Sequence, residues 1–488
     1  MTVALSPDEQ RRLAELSERH DRLTTDEADE WHQLRAAAIP RTVEPYYSLA
    51  EPTAIPLYAG PLLYPPHQER TAEQVGGTVA LQMAPVPQIL MRGAVSRQFQ
   101  LHDLLDGERA LQLPPMVAVP DAPDAPEASS ETGNASWRGP VGGYVVGKAA
   151  AVRRVTFHLA NFMPMVGAII TDGVNAWAGR VTVKVGPWVV TIDARPDLEE
   201  VLAAVGERGG HAVTHTCSLE RRDRRPFAFA RCQELLTCLT WCLWFCRAAA
   251  PSVVVPVGFD TNDRATWSRW AAPHTDPLPD HHGQWFDKAH GAEQLATLLP
   301  LFWQRYSDPL WQRSLQLAIR NYADAAVMGT LQRNVILAQV GLESLAYAHL
   351  VRSSQQLQPK QFTHPVSQHI RRFLRDVGIP TTIPRTFYGL RRVRANSPWD
   401  GPAAVAWLRN DIVHANRHRV DGRRWKVWYQ GWRLAVWYLE LAVLAVVGYE
   451  GRYRNRLSDE VHVGAVELVP WAAMKPPRGP HYLHSSGT

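Results

Sequence analysis

The spacing of hydrophobic positions changes twice along this chain. Over residues 6–38, Leu13, Leu16 and Leu23, then Trp31 and Leu34, recur at helical intervals. Each run has a start signal. "SPDE" offers Ser6 as N-cap, Pro7 at the first helical position and Glu9 at the capping-box position, and "TTDE" at 24–27 repeats the device. A helical hairpin is predicted. From about residue 45 to 225 the punctuation shifts to Pro and Gly, and alternation takes over. "RVTVKVGPWVVTIDA" alternates apolar and polar residues on both sides of Gly186-Pro187, which predicts a β-hairpin. "VRRVTFHLANF" and "HAVTHTCSLERR" are further strands. From about 228 the helical period returns. "FARCQELLTCLTWCLWFCRAA" predicts one long helix, and "PSVVVPVGF" a buried strand after it. Six helical patterns follow: "AEQLATLLPLFWQRY", "PLWQRSLQLAIRNYADAA", "LQRNVILAQVGLESLAYAHLV", "SQHIRRFLRDV", "AAVAWLRNDIVHANRHR" and "WYQGWRLAVWYLELAVLAVVGYEGRYR". Short to medium joints between them predict an all-α bundle.

The expected class is therefore α+β. Its parts are a helical hairpin over 1–44, a β-rich domain over 45–300, a helical bundle over 301–460 and a tail over 461–488. A chain of 488 residues is long enough for two or three domains. "VPDAPDAPEASSETGN" at 119–134 is too polar and proline-rich to bury and is expected to be a mobile insertion. The tail "MKPPRGPHYLHSSGT" is expected to fray.

Composition narrows the choice of partners. No basic N-terminal segment precedes a long apolar run, so a cytoplasmic protein without a signal peptide is expected. Leu235–Cys246 is too short to span a bilayer, and Leu434–Val447 is short and carries Glu440, so both predict buried helices and no membrane partner. Of the five cysteines, Cys238, Cys242 and Cys246 follow one helical stripe. No CxxC pair or histidine cluster accompanies them, so reduced core thiols are expected rather than a metal site. No cofactor is expected either. The net charge is only +5, yet residues 385–426 hold ten Arg and Lys against three Asp. That local concentration suits a phosphate backbone.

At the centre of the basic segment lies "WLRNDIVHAN", 407–416. On a helical wheel Val405, Leu408 and Ile412 make a core-facing stripe. Asn410, His414 and Arg417 fall on the opposite side with Val413 beside them, and Arg409 sits on the flank within reach. The bland alternative is a solvated polar face, with Arg409 and Asp411 merely exposed. A zinc pair of His414 and His418 lacks a third ligand.

An Arg-Asn-x-x-x-His run late in a helical bundle, here "RNDIVH", resembles the HEPN family of ribonucleases and RNA-binding toxins. "NVILAQVGLESLAYAHLV" is similar to that family's helix with an acidic residue, here Glu343. The layout of a β-rich front, a long apolar helix, an aromatic passage with "QWFDKAH" and a bundle resembles ApeA-type HEPN proteins of anti-phage defence. The bundle likeness covers roughly 310–450; the likeness over 45–300 is one of layout. It implies a homodimer whose paired Arg/His sets cut RNA, tRNA among the candidates, without a metal.

The residues suit that chemistry. RNA brings its own nucleophile, the 2′-OH. Histidine can act as base or acid near neutral pH, and a guanidinium grips phosphate oxygens bidentately. His414 and its mate are expected as acid and base, paired Arg409 side chains as the clamp, and Asn410 as a group that orients the imidazole or touches phosphate. Glu343 is expected either to take part or simply to pair with a helix neighbour, such as Arg409. Arg391, Arg392, Arg394 and Arg417 are expected to bind RNA. The competing class is a catalytically silent HEPN module that only dimerises and binds RNA or protein, with the β-rich half as the working part. The front half is expected to sense a signal, such as a phage-encoded protein.

Overall fold

The computed structural model describes residues 6–19, 22–50, 53–64, 73–95, 135–141, 143–148, 151–278, 283–327, 329–363, 365–393, 399–414, 425–460 and 462–473. The expected insertion at 119–134 and the end of the tail lie outside them. The fold is α+β. Two compact units divide the chain: Met1–Leu236 with Pro251–Pro279, and Thr237–Ala250 with Asp280–Thr488.

The first unit opens with α1 (Pro7–Glu18) and α2 (Thr25–Ala38), each started by a complete capping box, Ser6/Glu9 and Thr24/Glu27. Leu16 and Trp31 are the side chains that bury from this hairpin. Strands β1 (Ala54–Tyr64), β2 (Glu73–Gln82), β3 (Gln88–Val95) and β4 (Ala135–Val141) form a four-stranded antiparallel sheet in sequential order. The larger sheet uses β5 (Tyr144–Gly147), β6 (Arg154–Ala160), β7 (Ala168–Thr171), β8 (Ala176–Val185), β9 (Trp188–Ala194), β10 (Val213–Arg221), β11 (Ser252–Phe259) and β12 (Ala265–Trp270). Its order is β5-β12-β11-β6-β10-β9-β8-β7. The predicted hairpin is β8–β9, closed where Gly186 takes a φ of +53°, a conformation that favours glycine. Helix α3 (Leu198–Arg208) lies between β9 and β10. The two sheets share a core in which Ile55, Leu81 and Met91 meet Val254, Val257 and Trp270.

Two histidines are sealed into the larger sheet. His158 on β6 approaches Thr216 Oγ1 at 3.4 Å, and His215 on β10 pairs its Nδ1 with Thr214 Oγ1 at 2.9 Å. Burial, helped by the positive charge of Arg195, pulls His158 down to about 4, and burial alone pulls His215 down to about 3. Both are thus neutral in the fold, whereas an unfolded histidine titrates near ~6.5. The stability they leave intact above ~6.5 is lost as pH falls toward the folded values, at about 1.4 kcal/mol per pH unit for each. The thermal midpoint of the sheet unit is expected to fall steadily from pH 6.5 to 4.5, measured by calorimetry. A midpoint that stays flat over that interval would contradict the burial argument.

Helix α4 (Phe229–Arg247) carries the unit boundary within it. Its cysteines are free and buried, and burial raises Cys232 to about 12 and Cys238 and Cys246 well above the ordinary thiol value. They are core residues.

The second unit contains α5 (Gly291–Tyr306), α6 (Pro309–Ala326), α7 (Leu331–Tyr347), α8 (Val366–Asp376), α9 (Tyr388–Arg392), α10 (Gly401–Val413) and α11 (Trp425–Val447). The six expected bundle helices are all present, and α9 is an addition. Helix α11 packs against α5, α6, α7, α9 and α10 and is the unit's central element. It is long and apolar enough to cross a membrane, but most of it is buried inside the protein. Phe245, from the end of α4, joins this core through Trp285 and Tyr322. Residues 462–473, expected as tail, are folded: Glu467–Leu468 pairs with Arg452–Tyr453, and Trp471 donates to the carbonyl of Tyr449.

Candidate active site

Helix α10 is fixed at its start and close-packed along its length. Asp400 caps it by accepting from the Ala403 amide at 3.1 Å, and the Arg371 guanidinium of α8 grips the same carboxylate with two donors. Burial raises the Asp400 pKa, but Arg371 and the cap bond outweigh it, and the net position is below the ordinary value. Two glycines then set the approach to α11. A Cβ at Gly401 would meet the Tyr438 hydroxyl at 1.9 Å, and one at Gly431 would meet Leu408 at 2.1 Å. Seven residues forward along α10 thus answer to seven residues back along α11. The two helices are antiparallel in a defined register.

The core face is Ala404, Val405 and Leu408, all buried, with Asp411 buried at its edge. The expected stripe was Val405, Leu408 and Ile412. Ile412 lies on it but is only half-buried, because it sits in the final turn. Asp411 is not the exposed residue of the bland alternative. Asn410 and Arg409 are half-buried, Val413 is 48% exposed, and His414 is exposed.

The helix expected to run through Arg417 stops at Val413, and His414 is its C-cap, with φ −105° and ψ 105°. Its amide still donates to the Asn410 carbonyl at 3.2 Å. In the final turn Ile412 is only half-buried and Val413 is exposed, so little apolar area is buried at this end of the helix. His414 therefore leaves the helical stripe it was expected to share with Asn410.

Arg409 does reach round from the flank. Its Nη1 donates to Asn410 Oδ1 at 3.0 Å, which turns the guanidinium toward the Asn410 side of the helix. Asn410, expected to orient the imidazole or touch phosphate, thus accepts from the arginine through its Oδ1. Glu343, on α7 against α10, is half-buried and accepts from Gln339 Nε2 at 2.8 Å. Its partner is one turn away on its own helix, not Arg409. Arg391 and Arg392 are exposed on α9, whose Leu390 amide donates to Gln430 Oε1 of α11 at 2.9 Å. Arg394 and Arg417 lie outside the described residues.

Sequence reasoning did not foresee the aromatic residues at this end. Because α10 and α11 run antiparallel, the start of α11, where Trp425 is 56% exposed, lies toward the end of α10 that carries His414. Tyr388, 49% exposed, sits over the start of the same helix, with Lys426 Nζ 3.3 Å from its hydroxyl. The signal was available in "TFYGLRR" and "RRWKVW", where aromatic and basic residues interleave.

Comparison with known proteins gives the following. The family model for the YopA central domain matches residues 147–280, and that for the YopA C-terminal domain matches residues 308–467. The chain is 28% identical over 415 residues to the SPbeta prophage-derived uncharacterized protein YopA of Bacillus subtilis (strain 168), covering 82% of this chain and 91% of that protein. No solved structure matches. The chain is thus similar to YopA across both units, and α10 with its Arg409, Asn410 and His414 lies inside the span that matches the YopA C-terminal domain.

Proposed function

We propose that the second unit is a metal-independent RNA endonuclease of the HEPN type, acting in the cytoplasm as an effector of anti-phage defence. The observation that carries this reading is the end of α10, where an exposed His414 follows an arginine held toward Asn410 by a 3.0 Å bond. The imidazole supplies the proton transfers. The guanidinium meets the charge that builds on phosphorus when the 2′-OH attacks. Its bond to a neutral amide is one that a phosphate can replace on better terms, because ionic hydrogen bonds are the stronger kind.

One chain supplies a single histidine and a single arginine of this set. A two-fold dimer supplies two of each, and the exposed Val413 beside them is the apolar contact such a partner would cover. A relative carried by a prophage agrees with a role in phage–host conflict. The β-rich unit is then the sensor, and a phage protein its trigger. Moving the balance from 1% to 99% active takes about 5.5 kcal/mol of differential binding.

The purified protein is expected to leave 2′,3′-cyclic phosphate and 5′-OH ends on RNA, tRNA included, and to keep cutting in EDTA. Subunits bearing Arg409→Ala and His414→Ala, mixed as heterodimers, are expected to cut faster than either homodimer. Strict dependence on added magnesium removes the mechanism, and a monomer that cleaves at full rate removes the composite site.

A further inference from the structure

The start of α11 has a surface that the cleavage chemistry does not use. Four tryptophans lie on this helix, and Trp428, Trp432 and Trp437 are buried, whereas Trp425 is 56% exposed. Its indole ring stands 5.8 Å from that of Tyr429, one turn on, which holds it against the helix. On α9, which packs against α11, Tyr388 is 49% exposed and has two cations near its ring. Arg392 Cζ lies 5.9 Å and Lys426 Nζ 5.8 Å from the ring centroid.

The arrangement is rigid where it matters. The backbone of α9 is tied to α11 through Leu390 and Gln430, and a Cβ at Gly389 would meet Gln430 Oε1 at 3.0 Å, so the short helix lies close against its neighbour. An exposed aromatic pair is costly to leave in water unless something covers it. Here the Tyr388 ring adjoins positive charge, Trp425 precedes Lys426 in the chain, and Arg391 adds a further exposed cation. That combination favours a ligand with flat apolar faces and regularly spaced anions. Unpaired bases on a phosphate backbone have both.

We infer that Tyr388 and Trp425 are stacking sites for unpaired bases of single-stranded RNA, with Lys426, Arg392 and Arg391 contacting the flanking phosphates. The inference rests on the proposed ribonuclease reading, because the antiparallel packing sets the start of α11 toward the end of α10 that carries His414, and a strand stacked here runs toward that end. It adds a selection rule: the strand must be unpaired where it enters, since a base inside a duplex has no free face to offer.

The test uses the full-length protein and a 2′-O-methyl oligonucleotide, which lacks the 2′-OH nucleophile and reports binding without cleavage. Binding is followed by fluorescence anisotropy for the single strand and for the same sequence in a duplex. Trp425→Ala and Tyr388→Ala are each expected to weaken single-strand binding about tenfold, in line with the loss of one stacked base. Trp425→Phe, which keeps a ring, is expected to recover most of the loss, and the duplex is expected to bind at least tenfold more weakly than the single strand. Unchanged affinity in both alanine variants overturns the inference, as does equal affinity for the duplex. So does a change of oligomeric state on sedimentation, which would assign the aromatic face to a second copy of the chain. The two readings fail separately. Tight, aromatic-dependent binding without any cleavage of natural RNA removes the nuclease and leaves the stacking site, whereas cleavage with unaltered binding in the variants does the reverse.

Discussion

Replacing His414 with alanine is expected to reduce RNA cleavage by about 10²–10⁴-fold, the range for losing a general acid or base, while the thermal midpoint stays unchanged. The second half of that expectation comes from the structure. His414 is exposed at the C-cap of α10, and its described bond is made by the backbone amide, which alanine retains. Among the described residues, no core contact rests on the imidazole. Arg409→Lys is the informative companion. Lysine keeps the charge but has no planar fork, so it loses bidentate contact with phosphate and the bond that directs the side chain toward Asn410. It should be nearly as damaging as Arg409→Ala. The measurement is the rate of 2′,3′-cyclic phosphate formation on total RNA by the full-length protein, alongside its melting curve. Wild-type cleavage by His414→Ala would transfer the chemistry to another residue and leave α10 as a binding element.

Periodicity made the elements visible because burial imposes it. The capping boxes at Ser6 and Thr24, the β8–β9 hairpin at Gly186 and the six bundle helices were all readable from spacing and punctuation. The four-stranded sheet was less distinct, since its strands carry internal glycines and prolines such as Pro61, Gly76 and Gly77 that blur alternation. Within the candidate site, the helix and its polar side were legible, but its end was not. The wheel assumed that α10 continues as long as polar residues can be placed on it, whereas a helix at the surface continues only while its core stripe finds something to bury. Side-chain pairing was also hidden. Arg409 could have reached Asn410 or Glu343 by spacing alone, and only the packing of α7 and α10 separates the two.

The position least legible of all was Glu440, a lone acid amid the apolar run of α11, and its removal is expected to be the most destabilising change in the second unit. Its carboxylate is fully buried and receives three donors. Tyr322 gives its hydroxyl at 2.8 Å, and Arg456 gives Nε at 3.1 Å and Nη2 at 2.6 Å. Arg456 lies sixteen residues downstream, past the helix end, and its side chain is only 7% exposed. Burial lowers the guanidinium's pKa, yet the charge and hydrogen bonds of Glu440 more than reverse this, so Arg456 stays charged. Glu440→Ala would strand a buried cation and a buried hydroxyl together, and breaking one side of a buried pair costs about 3–5 kcal/mol. For a unit of this size that corresponds to a drop of the order of 10 °C in the melting midpoint. Glu440→Gln, which still accepts from Tyr322, should fall between the two. Replacing both charges at once, as Glu440→Leu with Arg456→Met, should recover most of the loss, because apolar groups of similar volume often match or exceed a buried ion pair. A midpoint that is unmoved in Glu440→Ala, or a double variant no better than the single one, would mean that the pair is not what holds α11 to the chain segment following it.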